Sequence, residues 1–381
     1  MSSLRIVNAN ALLPEGLVEG VELGVRDGIF DTARAGALIW DARSLLVLPG
    51  IVDLHGDAFE RQVMPRPGVF FADEIALFDT DRQLVANGIT TAFHALTWSW
   101  EPGLRSTARA TAFVDSLERL RPQLACDTRL HLRWETFNLD ALALAETWLA
   151  AGRVDLFAFN DHTTGLLRAA RGPAHMAKTV ERTGLKAADF EDLLARVGEL
   201  AADVSTANAQ LASIARSANV PLASHDDLSP ACRATFRDLG CRISEFPVTR
   251  ETAQAARDNG DHVMMGAPNV VRGGSHLSLV SAESLVRAGL CDVLASDYYY
   301  PALLQAAWRL AGSTAEIAAF WPLVSRNPAL AVGLADRGNL SPGARADFIA
   351  VDVGSGVPRV AATFVGGRLV YEAAHLGALA A

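Results

Sequence analysis

Eight short apolar runs alternate with amphipathic helical segments through the middle of the chain, and this alternation leaves few folds open. The runs are GIVDLH, ITTAFHAL, TRLHLRWE, VDLFAFN, VPLASHD, CRISEFP, HVMMGAP and CDVLASD. Helical patterns such as EDLLARVGELAADVSTANAQLASIARSA separate most of them. Strand–helix repetition of this length implies a parallel sheet, and eight strands suit a closed (β/α)8 barrel of the TIM type better than a doubly wound sheet. Pattern alone leaves an open sheet as the alternative.

Both ends of the chain have a different texture. LRIVNANAL, GVELGVRDGIF and SLLVLPG precede the barrel; ARADFIAVD and RVAATFVGGRLVYE follow it, with Gly366-Gly367 as a hairpin turn. The expected organisation is therefore α/β: a barrel over residues 49–340, with residues 1–48 and 341–381 pairing into a small β-sandwich domain.

Composition narrows the function. The chain has 381 residues, half of them hydrophobic, and a formal net charge of −9. An acidic chain without long basic runs is poorly suited to nucleic acid or anionic membranes, so neither is expected as a partner. MSSLRIVNANALLPEG has no signal-peptide pattern, no run is long enough to span a bilayer, and four cysteines lack metal or redox spacing. A cytoplasmic protein is expected, and a homo-oligomer is compatible with the sequence.

The chemistry is carried by where histidine and acidic residues fall. His55 and Asp57 close the first barrel strand two apart, so both project to one side. Glu135 closes LHLRWE, His162 follows FAFN, His225 follows PLAS, and Asp297 follows VLAS. A lone histidine at a strand end is more often a hydrogen-bonding core residue than a ligand. Six such residues at strand C-termini, the face where barrels build their sites, point to a metal centre. Their imidazole and carboxylate donors suit two divalent ions (Zn, or Mn, Fe or Ni), with Glu135 as the expected bridge. A bound ion brings the pKa of water down toward ~7, and Asp297 is placed to accept the proton.

A second cluster is MGAPNVVRGGSH, residues 265–276. Gly273 and Gly274 are expected to turn backbone N–H groups toward an anion, Arg272 adds a planar cation, and Ser275 and His276 add donors. A Gly-Gly pair is by itself more often a plain turn; its place directly after a strand favours a phosphate cradle. Arg61 and Arg66, in ERQVMPRPG, are further cations for the same mouth. His94 ends its strand and could face the pocket, His131 reads as a core histidine, and Tyr298, Tyr299 and Tyr300 wall or underlie the site. His175, His262 and His375 have no companions.

LPGIVDLHGD, the strand-end His and Asp series and SPGARADFIAVD together resemble the amidohydrolase superfamily. HGD followed by MPRPG, LASHDD, EFPVT, MGAPNVVRGGSH, ASDYYYPALL and RNPALAVGL resemble, in order, the α-D-ribose 1-methylphosphonate 5-triphosphate diphosphatase family of the carbon–phosphorus lyase pathway. The resemblance implies hydrolysis of a small phosphorylated substrate, the 5-triphosphate, to the 5-phosphate and pyrophosphate. It implies a metal site of His55, Asp57, Glu135, His162, His225 and Asp297. It also implies phosphate contacts from Arg272, Gly273, Gly274, Ser275 and His276. Gly56 stands where that family is expected to carry Thr, and His94 where a different residue is expected. The competing reading is a hydrolase of an amide, cyclic amide or amidine, which uses the same metal logic without an anion cradle. A non-catalytic scaffold on the same fold would have lost ligands that are all present here.

Overall fold

A computed structural model describes residues 3–43, 45–168, 172–274 and 280–373, without the side chains of residues 173–175 and 178. The eight expected barrel strands are all found: β1 (Ile51–Gly56), β2 (Ile89–Trp98), β3 (Asp127–Glu135), β4 (Leu156–Asn160), β5 (Leu222–His225), β6 (Ile243–Glu245), β7 (His262–Gly266) and β8 (Val293–Ala295). Each pairs in parallel with the next. Their near-continuous apolar character follows from burial on both faces, side chains inside and helices outside. Val52, Leu54, Phe93, Ala158, Ala223, Ile243, Met264 and Val293 fill the interior.

Closure between β1 and β8 is made at the mouth. Asp57 N donates to Asp297 O (2.9 Å) and Asp297 N to His55 O (2.8 Å). Beneath them, the buried Asp53 carboxylate accepts from Ser296 N (3.0 Å) and Ser296 Oγ (2.5 Å). The motifs HGD and ASD are thus the two lips of one seam. Asp297 has φ +55°, and Asp226 and Phe246, which follow β5 and β6, have φ +57° and +53°. Left-handed non-glycine residues are uncommon, and three at strand ends on one rim mark where backbone strain has been accepted for side-chain placement.

The two chain ends do meet, in a hydrogen-bonded mixed sheet of eight strands among the described residues. Leu46–Pro49 joins the halves, pairing in parallel with Ser3–Leu13 and antiparallel with Phe348–Asp352. The Gly366-Gly367 turn connects Arg359–Val365 to Arg368–Glu372, as the sequence suggests. Ile6, Val25, Phe30, Trp40, Phe348 and Phe364 form the core of this sheet. The long helical pattern before β5 is two helices, Ala187–Gly198 and Ala201–Ser217. No described helix is long and apolar enough to cross a membrane.

Candidate active site at the barrel mouth

Alternation along β3 sends His131, Arg133 and Glu135 toward the barrel axis at successive heights. β1, β5, β6 and β8 bring His55, His225, Glu245 and Asp297 to the same end. Among the described residues three groups of ligand-type atoms result, each within 4.8 Å: His55, Asp57 and Asp297; His55, His225 and Glu245; His162, His225 and Asp226. The His55 and His225 rings stack 5.4 Å apart, with Phe246 edge-on to both.

Beneath the rim the polar atoms form a directed chain. Arg133 Nη2 donates to His225 Nε2 (2.9 Å), and His225 Nδ1 donates to Glu245 Oε2 (3.1 Å). Glu245 Oε1 lies 3.2 Å from His131 Nε2, and His131 Nδ1 donates to Leu54 O (2.9 Å). The His225 tautomer follows from this network: Arg133 donates to Nε2, so Nδ1 carries the ring proton. Burial holds Glu245 well above the carboxylate range. Burial also holds His55 and His225 well below the usual imidazole value, as uncharged rings. Asp297 is pushed up to about 7, first by burial and then by Asp57.

The first group fits a divalent ion. It offers two carboxylates and an uncharged imidazole. A cation among them would offset the desolvation that raises both carboxyls.

His55, Asp57, His162, His225 and Asp297 therefore converge as the sequence suggests, whereas Glu135 lies outside the three groups. Glu135 Oε1 accepts from Thr163 N (3.1 Å) and Thr163 Oγ1 (2.7 Å), and Oε2 from Asn160 Nδ2 (3.2 Å) and His162 N (3.3 Å). Its nearest approach to the His162 ring is 4.0 Å. In this arrangement it positions the turn that carries His162.

A cavity of about 180 Å³ opens beside these groups, walled by His55, Arg133, His225, Asp297, Arg272 and Gly274 among others. Arg272 and the metal-type side chains thus share one space. The glycine cradle takes another form: Gly273 N donates to Val270 O (3.1 Å) and Gly274 N to Asn269 O (3.0 Å). Those N–H groups cap the helix Ala267–Arg272, with Gly273 left-handed at φ +79°. The local need to close a helix end takes the donors that were expected to face an anion. Ser275, His276 and His375 lie outside the described residues, as does the side chain of His175.

Arg66 is exposed in the turn closed by Val69 N and does not line the cavity. Arg61 Nη2 donates to Tyr298 O, tying the first loop to the last. Tyr298 lines the cavity, Tyr299 is exposed, and Tyr300 is buried below. His262 bonds Asp292 at the far end of β7 (2.8 Å).

Gly56 leaves its space to Tyr300. A Cβ there would lie 2.8 Å from Asp53 Oδ2 and 3.0 Å from both Ser296 Oγ and Tyr300 Cε1. Gly56→Ala should cost about 1–3 kcal/mol through overpacking of the β1–β8 seam, seen as a lower Tm. An unchanged Tm would mean that the ring does not claim this space.

His94 turns away from the cavity, edge-on to Phe59 and Phe113 with ring centroids 5.3 and 6.0 Å away. Burial lowers it from 6.5 to about 4. Below pH 6.5 the unfolded chain takes up a proton that the folded one refuses, so this contribution is intact above 6.5 and fades toward 4. Between pH 7 and 5, wild type should lose about 2 kcal/mol more stability than His94→Leu, at about 1.4 kcal/mol per pH unit below 6.5. Parallel losses in urea titrations at the two pH values would contradict this.

Glu245, Asp226 and Arg133 escaped the strand-end reading. Glu245 closes CRISEFP just as Glu135 closes LHLRWE, so the same rule could have found it. Asp226 adjoins His225, and Arg133 shares the inward face of His131 and Glu135. A cation among expected metal ligands gave no reason to look.

Imidazoles and carboxylates thus gather at the strand ends of a parallel barrel, and both chain ends pair in a side sheet. Solved structures agree on the fold. A crystal structure described as an amidohydrolase superposes with TM-score 0.64 at 15% identity, covering 98% of this chain and 100% of that one. N-isopropylammelide isopropylaminohydrolase from Burkholderia multivorans gives 0.64 at 19% identity, covering 97% and 98%. No family model matches the chain. The α-D-ribose 1-methylphosphonate 5-triphosphate diphosphatase of Escherichia coli K12 is 35% identical over 310 residues, 80% of this chain and 82% of that protein. The chain belongs to that diphosphatase family.

Proposed function

We propose that this protein is a cytoplasmic, metal-dependent enzyme that hydrolyses α-D-ribose 1-methylphosphonate 5-triphosphate to the 5-phosphate and pyrophosphate in phosphonate catabolism. The observation that carries the reading is the shared cavity: Arg272, a cation suited to phosphate, faces the space lined by His55, His225 and Asp297. Family membership supports the same substrate.

His55, Asp57 and Asp297 would hold a divalent ion, and His162, His225 and Asp226 are the second candidate group. When bound, such an ion acidifies water and draws charge from phosphoryl oxygens. The chain's own groups do the rest. Arg272 binds and orients the phosphates from the outer wall. Asp297, which lines the same cavity, accepts the proton of the attacking water, whose oxygen adds to the α-phosphorus as the bond to the pyrophosphate oxygen breaks. Ser275 and His276, next in sequence to the cavity wall, are proposed as further phosphate donors.

The test is turnover of the ribose triphosphate in oxygen-18-labelled water, followed by phosphorus NMR. Pyrophosphate together with labelled 5-phosphate is expected. Orthophosphate as product, or label in the pyrophosphate, would move the cleaved bond, and no turnover by metal-loaded protein would sink the assignment.

A further inference from the structure

We infer that Arg133 stands in for a second metal ion, so that the mouth of the barrel holds one divalent ion and one guanidinium. This rests on the reading above that strand-end side chains bind a divalent metal. Two-ion hydrolytic sites keep their ions about 3.5–4 Å apart and share ligands between them. With the first ion at His55, Asp57 and Asp297, the second would need the group formed by His162, His225 and Asp226.

That group depends on His225 Nε2, the atom 3.8 Å from Asp226 Oδ1. Its lone pair is already engaged by Arg133 Nη2 at 2.9 Å. His225 cannot offer Nδ1 instead, because that nitrogen donates to Glu245 Oε2. Glu245 Oε2 thereby fixes the ring from below. In the group of His55, His225 and Glu245, the His225 nitrogen at Glu245 is Nδ1, whose proton goes to Glu245 Oε2.

Arg133 is built into this place. Its side chain is 6% exposed, rises from the interior face of β3, and sets Nη1 3.4 Å from Asp57 Oδ2. The fork therefore spans from the first group to the second, where a second ion would sit. A carboxylate has two oxygens, so Asp57 can serve an ion with one and the guanidinium with the other. The expected bridge is absent as well, since both oxygens of Glu135 are taken by four donors. A permanent cation here supplies charge to phosphoryl oxygens without a second ion's ligands.

The test counts ions, with Mn(II) alone as the probe. Metal-stripped wild type, reloaded and desalted, should retain about one Mn(II) per chain by mass spectrometry and give the EPR spectrum of an isolated ion, whereas a two-ion site gives about two and a coupled spectrum. Arg133→Ala, which frees His225 Nε2, should raise the count to about two. Two ions in wild type, none at all, or an unchanged count in Arg133→Ala would overturn the inference. Should Arg133→Ala fail to fold, His225→Gln decides: unchanged Mn(II) count and affinity support a single ion elsewhere, and loss of an ion refutes it. A one-ion protein that leaves the ribose triphosphate intact would sink the functional reading and leave this inference standing.

Discussion

Asp297→Asn should lower kcat by about 10²–10⁴-fold, the range contributed by a positioned proton acceptor, while KM changes only a few-fold. Asparagine is the informative replacement because the position is left-handed, at φ +55°, where Asn is among the residues that tolerate it best. The seam itself uses Asp297 N and O, backbone atoms that the substitution leaves in place. Stability should therefore change little, and the loss should be chemical. Asn keeps an oxygen for a metal but takes up no proton at working pH. Steady-state kinetics with metal content measured on the same sample make the check. Near-normal kcat with metal bound would remove Asp297 from the proton-accepting role, and lost metal would show that it acts mainly as a ligand.

Arg272→Ala should raise KM for the ribose triphosphate about 10²-fold, with a smaller change in kcat. Hydrogen bonds to charged groups contribute about 1.5–3 kcal/mol each, and a guanidinium fork can make two to one phosphate. Arg272 is exposed on the cavity wall, so the effect should shrink as salt is raised. Stability should fall by less than about 1 kcal/mol, the loss of a cation near the C-terminus of a short helix. Inhibition by added pyrophosphate is the second readout and should weaken in parallel with KM. If KM rose and pyrophosphate inhibition stayed unchanged, Arg272 would be contacting a part of the substrate other than the phosphates being released.

Much of the fold was legible because its signals are local. A strand such as LFAFN in β4 is buried at every position, and in a parallel barrel that burial writes itself as a continuous apolar run. Strand ends are equally readable, because the residue after the last apolar position emerges at the rim whatever the neighbours are. His55, Asp57, His225 and Asp297 follow from that rule alone. The hairpin at Gly366-Gly367 is legible for a similar reason, since two consecutive residues at φ +53° and +72° favour glycine.

What remained hidden depends on partners far away in the chain. Glu135 and Glu245 end their strands alike, yet one is consumed by Thr163 and Asn160 and the other accepts from His225. Gly273 and Gly274 look like an anion cradle until the helix before them is seen to need its carbonyls capped. His94 reads as a pocket residue until Phe59 and Phe113 close around it. By itself the sequence determined the eight alternating strands and helices and the set of side chains at the strand ends, because periodicity and strand polarity are properties of contiguous residues. Only the tertiary structure decided which hydrogen-bonding atoms at that rim are spent and which are free, because each lone pair and each N–H can be claimed once, and the claimants come from different strands.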